Sequence, residues 1–341
     1  MAMFLALLFV MLTLAIATAN TSPSNMHETC VDGNIGFVLQ FNMYQNSCPE
    51  AEAIIFSWVQ SAISVDPRMA ASLLRLHFHD CFVNAILQGC DASVLLDDTD
   101  NFLGEKTAPP NLNSLRGFEV IDAIKSDVES VCPGIVSCAD ILATVARDSV
   151  VLVRGPSWEV EMGRRDSLSA SKAAATNNIP GPNSTVTTLV AKFQSVGLTL
   201  NDMVVLSGAH TMGKARCTTF NSRLQEPPNS NGPDINLDFL QTLQQLCLDS
   251  NSDTTLAELD LVTPVTFDNQ YFVNLLSGKG LLPSDQALLT QDDRTRQIVE
   301  SYAQDQFAFF EDFKNSMLKM GRLGPLTGDS GKIRQNCRAI N

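Results

Sequence analysis

The chain is patterned for helices along most of its length. Apolar residues recur at three- and four-residue spacing over Glu50–Ser64, Met69–Cys81, Gly117–Val131 and Cys138–Val151, the period of helices that bury one face. Helices are also predicted over Thr187–Val196, Asn201–Ser207, Phe239–Leu246, Asn269–Leu276, Thr295–Gln304 and Gln306–Gly321. Asp66-Pro67 reads as an N-cap followed by proline at the first helical position, opening the second of these helices. Strand-like patterning is short and centres on Trp158–Met162. The pattern predicts a mostly α fold with very little β, without internal repeats or a low-complexity linker.

Met1–Ala19 breaks the pattern by being almost wholly apolar. It ends in Ala17-Thr18-Ala19, a small-x-small cleavage pattern, and reads as a secretory signal peptide cut near Asn20. No Lys or Arg precedes the apolar run, which leaves a membrane anchor as the competing reading. The run is short for a span of about 20 residues. No other segment of that length is continuously apolar, so a soluble mature protein without a membrane partner is expected.

Composition narrows the function further. The chain has 341 residues, 45% of them apolar, enough for a large core. Its net charge of −14 argues against nucleic acid and anionic membranes as partners. Nine cysteines are scattered along it, without the paired spacing of zinc ligands. In a secreted chain they argue for disulfides, and an odd number leaves at least one over. Asn183-Ser184-Thr185 is a glycosylation acceptor sequence beside Pro180 and Pro182.

The most informative stretch for chemistry is Arg75-Leu76-His77-Phe78-His79-Asp80-Cys81-Phe82. On a helix, Arg75 and His79 are four residues apart and share a face, Phe78 borders it, and His77 points away. Arginine does not neutralise, so it favours a neutral imidazole beside it. A neutral His can then take a proton while the cation stabilises a developing anion. Cleavage of a peroxide O–O bond needs that pair. A haem site would need one axial His as well, and His210 in Leu206–Gly213 is available for it.

The motifs around these residues resemble the secreted plant haem peroxidases of class III. They are RLHFHDCF at 75–82, GCDAS at 89–93, VSCADIL at 136–142, GRRDS at 163–167, LSGAHTMGKARC at 206–217, FDNQYF at 267–272, SDQ at 284–286 and NCR at 336–338. They follow the family's order over roughly residues 40–341. The intracellular haem peroxidases are a poorer match, since they carry Trp where this chain has Phe78 and Leu259.

The resemblance implies two helical domains sandwiching haem b. It also implies reduction of hydrogen peroxide via a ferryl intermediate, with oxidation of small phenolic donors. His79 would be the acid–base group, Arg75 the distal cation and Phe78 the pocket wall. Asn111 would accept from the other ring nitrogen of His79, with Glu105 behind it. His210 would ligate iron, and Asp285 would accept its N–H. Two calcium ions are implied. Asp80, Val83, Gly89, Asp91 and Ser93 would hold the distal ion, and Thr211, Asp260, Thr263, Thr266 and Asp268 the proximal one. Pro180, Arg68 and Ser72 would contact the donor. The implied disulfides are Cys48–Cys132, Cys81–Cys90, Cys138–Cys337 and Cys217–Cys247, with Cys30 unpartnered. A monomer in the extracellular wall space is expected.

Residues 20–39 form an atypical extension ahead of the 40–341 peroxidase domain. Ala85–Gln88 adds four residues inside the Cys81–Cys90 loop. Growing that loop from about 6 to about 10 residues costs only ~0.5 kcal/mol in closure entropy. Val83 and Gly89 must nonetheless both reach one ion across it. That insertion motivates an alternative, a non-catalytic extracellular protein on the same fold. A further alternative is a metal-dependent hydrolase built on His77, His79 and Asp80, although His77 and His79 diverge on a helix.

Overall fold

The computed structural model describes residues 38–83, 88–225, 235–248 and 254–340. The signal segment, most of the 20–39 extension with Cys30, and Ala85–Leu87 of the insertion lie outside the described residues. In chain order the helices are α1 Ala51–Val65, α2 Met69–Phe82, α3 Phe118–Val131, α4 Cys138–Leu152, α5 Lys172–Asn178, α6 Val186–Ser195, α7 Leu200–Ser207, α8 Asn221–Gln225, α9 Leu237–Cys247, α10 Gln270–Leu276, α11 Pro283–Thr290, α12 Asp293–Gln304 and α13 Gln306–Gly321. The mostly α fold class is therefore right.

Helix α4 explains how the first half is built. The Ser137 hydroxyl caps it by accepting from Asp140 N at 3.1 Å. Nearly every residue of α4 is buried, and many are small (Ala139, Ala143, Ala146), so α1 and α2 can pack closely on it. Helix α1 adds Ile55 and Val59 to the same core and also packs on α3. In the second half α7 packs on α6 and α13, and α12 packs on α10 and α11. Phe267, Phe272, Phe309 and Phe313 form its aromatic centre, with Phe267 and Phe309 stacked at 5.6 Å. Helix α2 touches both α5 and α13, which joins the halves.

Gly208 ends α7 where only a glycine fits. A Cβ there would lie 2.6 Å from the Phe309 ring and 2.9 Å from Phe272. The close approach lets the chain continue as a 3-10 turn, Gly208–Thr211, that carries His210. Strand β1 (Lys214–Arg216) follows at once and pairs antiparallel with β2 (Leu256–Glu258), whose end leads to Asp260.

Three expectations change. Trp158–Met162 does not form a regular strand. It pairs only at Met162 with Gln40, while Arg147 takes the Trp158 carbonyl and Arg164 the Glu161 carbonyl. Arginine side chains thus satisfy backbone groups that a neighbouring strand would otherwise take. Asp66 does not open α2 directly: its carboxylate accepts from Arg68 N at 3.0 Å, and the regular helix begins at Met69. Helices α5, α8 and α11, absent from the sequence reading, complete the fold. The four disulfides join the expected pairs.

Candidate active site

Helix α2 carries the distal groups. Asn111 Nδ2 donates to the Glu105 carbonyl at 2.9 Å, which turns Asn111 Oδ1 toward His79 Nδ1 at 2.6 Å. An amide oxygen only accepts, so Nδ1 carries the proton and Nε2 keeps its lone pair. Burial, and then the Arg75 charge, hold the His79 imidazole well below its ordinary pKa against the Asn111 hydrogen bond. Arg75 donates to Pro110 O at 3.0 Å, Ser114 O at 3.1 Å and Ser114 Oγ at 3.2 Å. These acceptors are all neutral, so they leave its charge uncompensated. Burial, with the charges of Arg68 and Arg216, brings its pKa down to about 10, still protonated at neutral pH. The Phe78 ring meets His79 edge-on at 5.7 Å and packs on Phe82 at 4.4 Å.

His77 lies elsewhere. It is buried against Cys81 Sγ at 3.7 Å, and a cavity of about 10 Å³ separates it from Trp158 and Arg164. Burial and the Arg164 charge push it down to about 3. Glu105 meets Asn111 through its backbone carbonyl, whereas its carboxylate accepts from Ser171 N at 3.1 Å. Burial pushes that carboxyl up to about 8, and its Oε2 is buried without a hydrogen-bond partner.

On the proximal side His210 Nδ1 lies 2.8 Å from Asp285 Oδ1. Asp285 is fixed by Leu282 N on Oδ2 at 3.1 Å and by the Tyr271 hydroxyl on Oδ1 at 3.1 Å. Burial pushes the His210 imidazole down, but the Asp285 charge and hydrogen bond outweigh it, so its pKa is raised. Tyr271 stays protonated, its pKa raised by burial and by Asp285. Although His210 is set deep among protein atoms, 39% of its side-chain surface is open. Arg75 and Phe78 are likewise only half-buried, and the Arg75 charge is felt at His210. Arg75, Phe78 and His210 thus keep accessible side-chain surface within electrostatic reach of one another, a slot in which His210 Nε2 has no hydrogen-bond partner among the described residues. A flat macrocycle carrying an iron fits that arrangement.

The two calcium sets come together to different degrees. Asp80 and Asp91 are both buried. Asp80 accepts from Ala92 N at 2.9 Å and Val94 N at 3.4 Å, and Asp91 from Ser93 N at 3.1 Å. Burial pushes both carboxyls up, and the Asp91 charge adds to the shift at Asp80. Such a pair fits a hard cation. The Val83 carbonyl accepts from Asn178 Nδ2 at 2.6 Å, and Gly89 N donates to Gly324 O at 3.1 Å. On the proximal side Asp260 and Asp268 face each other through shared hydroxyls. Thr211 Oγ1 lies 3.4 and 3.0 Å from them, and Thr263 Oγ1 lies 3.0 and 3.2 Å away. Thr266 closes the turn by donating its N–H to Thr263 O. This all-oxygen set also fits calcium.

Arg68 stands on the α2 side of the slot beside Arg75, Arg116 and Arg216, and burial and Arg116 lower its pKa. Ser72 Oγ donates to Arg68 O at 3.1 Å. Pro180 lies in the segment that ties Asn178 to Val83 O and Pro182 O to Ser284 N, spanning from the distal helix to α11. Ser114, Arg216 and Tyr271 were not found from the sequence. Arg216 was within reach, because it falls in the same 206–217 motif as His210.

A family model described as Peroxidase matches residues 55–305. The chain is 62% identical to Peroxidase 40 of Arabidopsis thaliana, over 99% of this chain and 98% of that protein. It is 52% identical to Peroxidase 4 of Vitis vinifera, over 91% and 94% respectively. It is 50% identical to Peroxidase 49 of Arabidopsis thaliana, over 91% and 93%. The chain belongs to the peroxidase family, and its fold and relatives are those of the plant haem peroxidases. It is an enzyme that acts on hydrogen peroxide and a donor substrate. The non-catalytic alternative is not favoured, and the hydrolase reading fails because His77 and His79 face different surroundings.

Proposed function

We propose that the protein is a secreted peroxidase that oxidises small phenolic donors with hydrogen peroxide in the slot between His79 and His210. The observation that carries this is the pair of oppositely tuned histidines, one held neutral beside Arg75 and the other bonded to the Asp285 carboxylate. His210 Nε2 would hold the iron of haem b, and Arg68 with Arg216 would face its carboxylates. Haem, when bound, supplies the oxidising equivalents taken from peroxide and passed to donors one electron at a time. His79 Nε2 takes the proton from the inner oxygen of hydrogen peroxide and returns it to the outer oxygen. Arg75 stabilises the negative charge that develops on the outer oxygen as the O–O bond breaks, and that oxygen leaves as water. Phe78 walls the pocket. Asn111, held by the Glu105 carbonyl, keeps the His79 ring in place.

Calcium at Asp80, Val83, Gly89, Asp91 and Ser93 would brace the residue next to His79. Calcium at Thr211, Asp260, Thr263, Thr266 and Asp268 would brace the residue next to His210. Pro180, with Arg68 and Ser72, would meet the aromatic donor. Four disulfides support passage through an oxidising compartment and release outside the cell. Exposed Asn183 is available to carry a glycan, and a monomer is expected. The test is a haem spectrum of the purified protein followed by guaiacol turnover with peroxide. A Soret band with turnover is expected, and a Soret band without turnover would contradict the catalytic assignment.

A further inference from the structure

Asp285 serves more than His210. Its Oδ1 accepts from His210 Nδ1 at 2.8 Å and from the Tyr271 hydroxyl at 3.1 Å, while Oδ2 accepts from Leu282 N at 3.1 Å. A carboxylate is acceptor-only, so the phenol must donate. Tyr271 is 2% exposed, and its ring stands edge-on to the His210 ring at 6.1 Å. Two donors therefore divide the electron density of one oxygen. We propose that Tyr271 is a positioning residue that weakens the pull of Asp285 on the His210 N–H, and through it sets the electron richness of the iron ligand. The proposal rests on His210 being that ligand.

The direction follows from the sharing. Hydrogen bonds to charged groups are among the stronger ones, and each added donor draws on the same lone pairs. With the phenol removed, Asp285 Oδ1 has His210 as its only side-chain donor. The imidazole then gains imidazolate character, which stabilises ferric over ferrous iron. The Tyr271 hydroxyl thus holds the iron at a higher potential than His210 and Asp285 would set alone. Tyr271 sits on α10 three residues after Asp268, so the same helix also reaches the proximal calcium residues.

The test uses the haem-loaded full chain with Tyr271→Phe. The ferric/ferrous equilibrium should move about tenfold toward ferric, ~59 mV for a one-electron couple, and the iron–imidazole stretch of the ferrous protein should rise. Because water could replace the lost donor, a second measurement replaces tyrosine by fluorotyrosine. Its more acidic phenol donates more strongly, so the equilibrium should move toward ferrous. In the Tyr271→Phe background, fluorination of the remaining Tyr44 and Tyr302 should change nothing. An equilibrium and a stretch unmoved by both changes, or moved in the same direction by both, would overturn the proposal. Absence of any iron–imidazole band in the reduced protein would instead overturn the assignment of His210 as the ligand.

Discussion

The distal and proximal halves of the site use the same device with opposite results. In each, an imidazole is pinned through Nδ1 by an oxygen acceptor, and the next residue in the chain belongs to a candidate calcium set. The acceptor of His79 is the neutral amide of Asn111, and the pKa of His79 is lowered. The acceptor of His210 is the Asp285 carboxylate, and the pKa of His210 is raised. Both rings are deeply set, so burial alone pushes both the same way. The charge of the acceptor and the position of Arg75 decide the sign. One side is left with a neutral imidazole beside a fixed cation, and the other with an electron-rich imidazole.

Four perturbations test that contrast, from the largest expected effect to the smallest. Arg75→Leu should slow the bimolecular reaction with peroxide about 10²- to 10³-fold while the Soret band survives, measured by rapid mixing. Calcium removal should weaken both anchors together. If calcium is bound at about 100-fold over its Kd, chelation should cost ~2.7 kcal/mol of stability for each site emptied, read as a lower denaturant midpoint. Asn111→Asp should make the distal acceptor resemble the proximal one. The added carboxylate raises the His79 pKa, so the peroxide reaction should fall about tenfold near pH 6, and the gap should narrow toward pH 8.

The smallest effect concerns His77, which shares α2 but not the slot. Its folded pKa, about 3, is below its unfolded value near 6.5. Its neutral burial therefore favours the fold fully above pH 6.5 and progressively less as the pH falls toward 3. Between pH 7 and pH 6 the loss from this one group is on the order of 1 kcal/mol or less. His77→Leu should remove that increment from the pH dependence of the unfolding midpoint.

How much of this was legible in the sequence depended on range. Arg75 and His79 are four residues apart, and helical geometry alone puts them on one face. Asn111 lies 32 residues from His79 and Asp285 lies 75 from His210, distances that no local period encodes; resemblance to a family supplied them. Tyr271 escaped notice because an aromatic residue in an apolar helix reads as core until its hydroxyl finds Asp285. Helix α11 was missed although Pro283 at its first turn is a start signal, because its apolar residues Ala287, Leu288 and Leu289 are contiguous and show no three- or four-residue spacing. Strands β1 and β2 have three residues each and carry no alternation to detect. Glu105 was read only as a network member behind Asn111; that the contact is made by its backbone carbonyl is a distinction between main chain and side chain that sequence does not carry.

The most direct test of the central claim, that His79 moves the proton while His210 holds the cofactor, is rapid mixing of the haem-loaded His79→Leu protein with hydrogen peroxide. The account predicts an intact Soret band and a peroxide reaction slowed about 10²- to 10⁴-fold. A variant that keeps the wild-type rate would contradict it, and the acid–base role would have to be moved to another group.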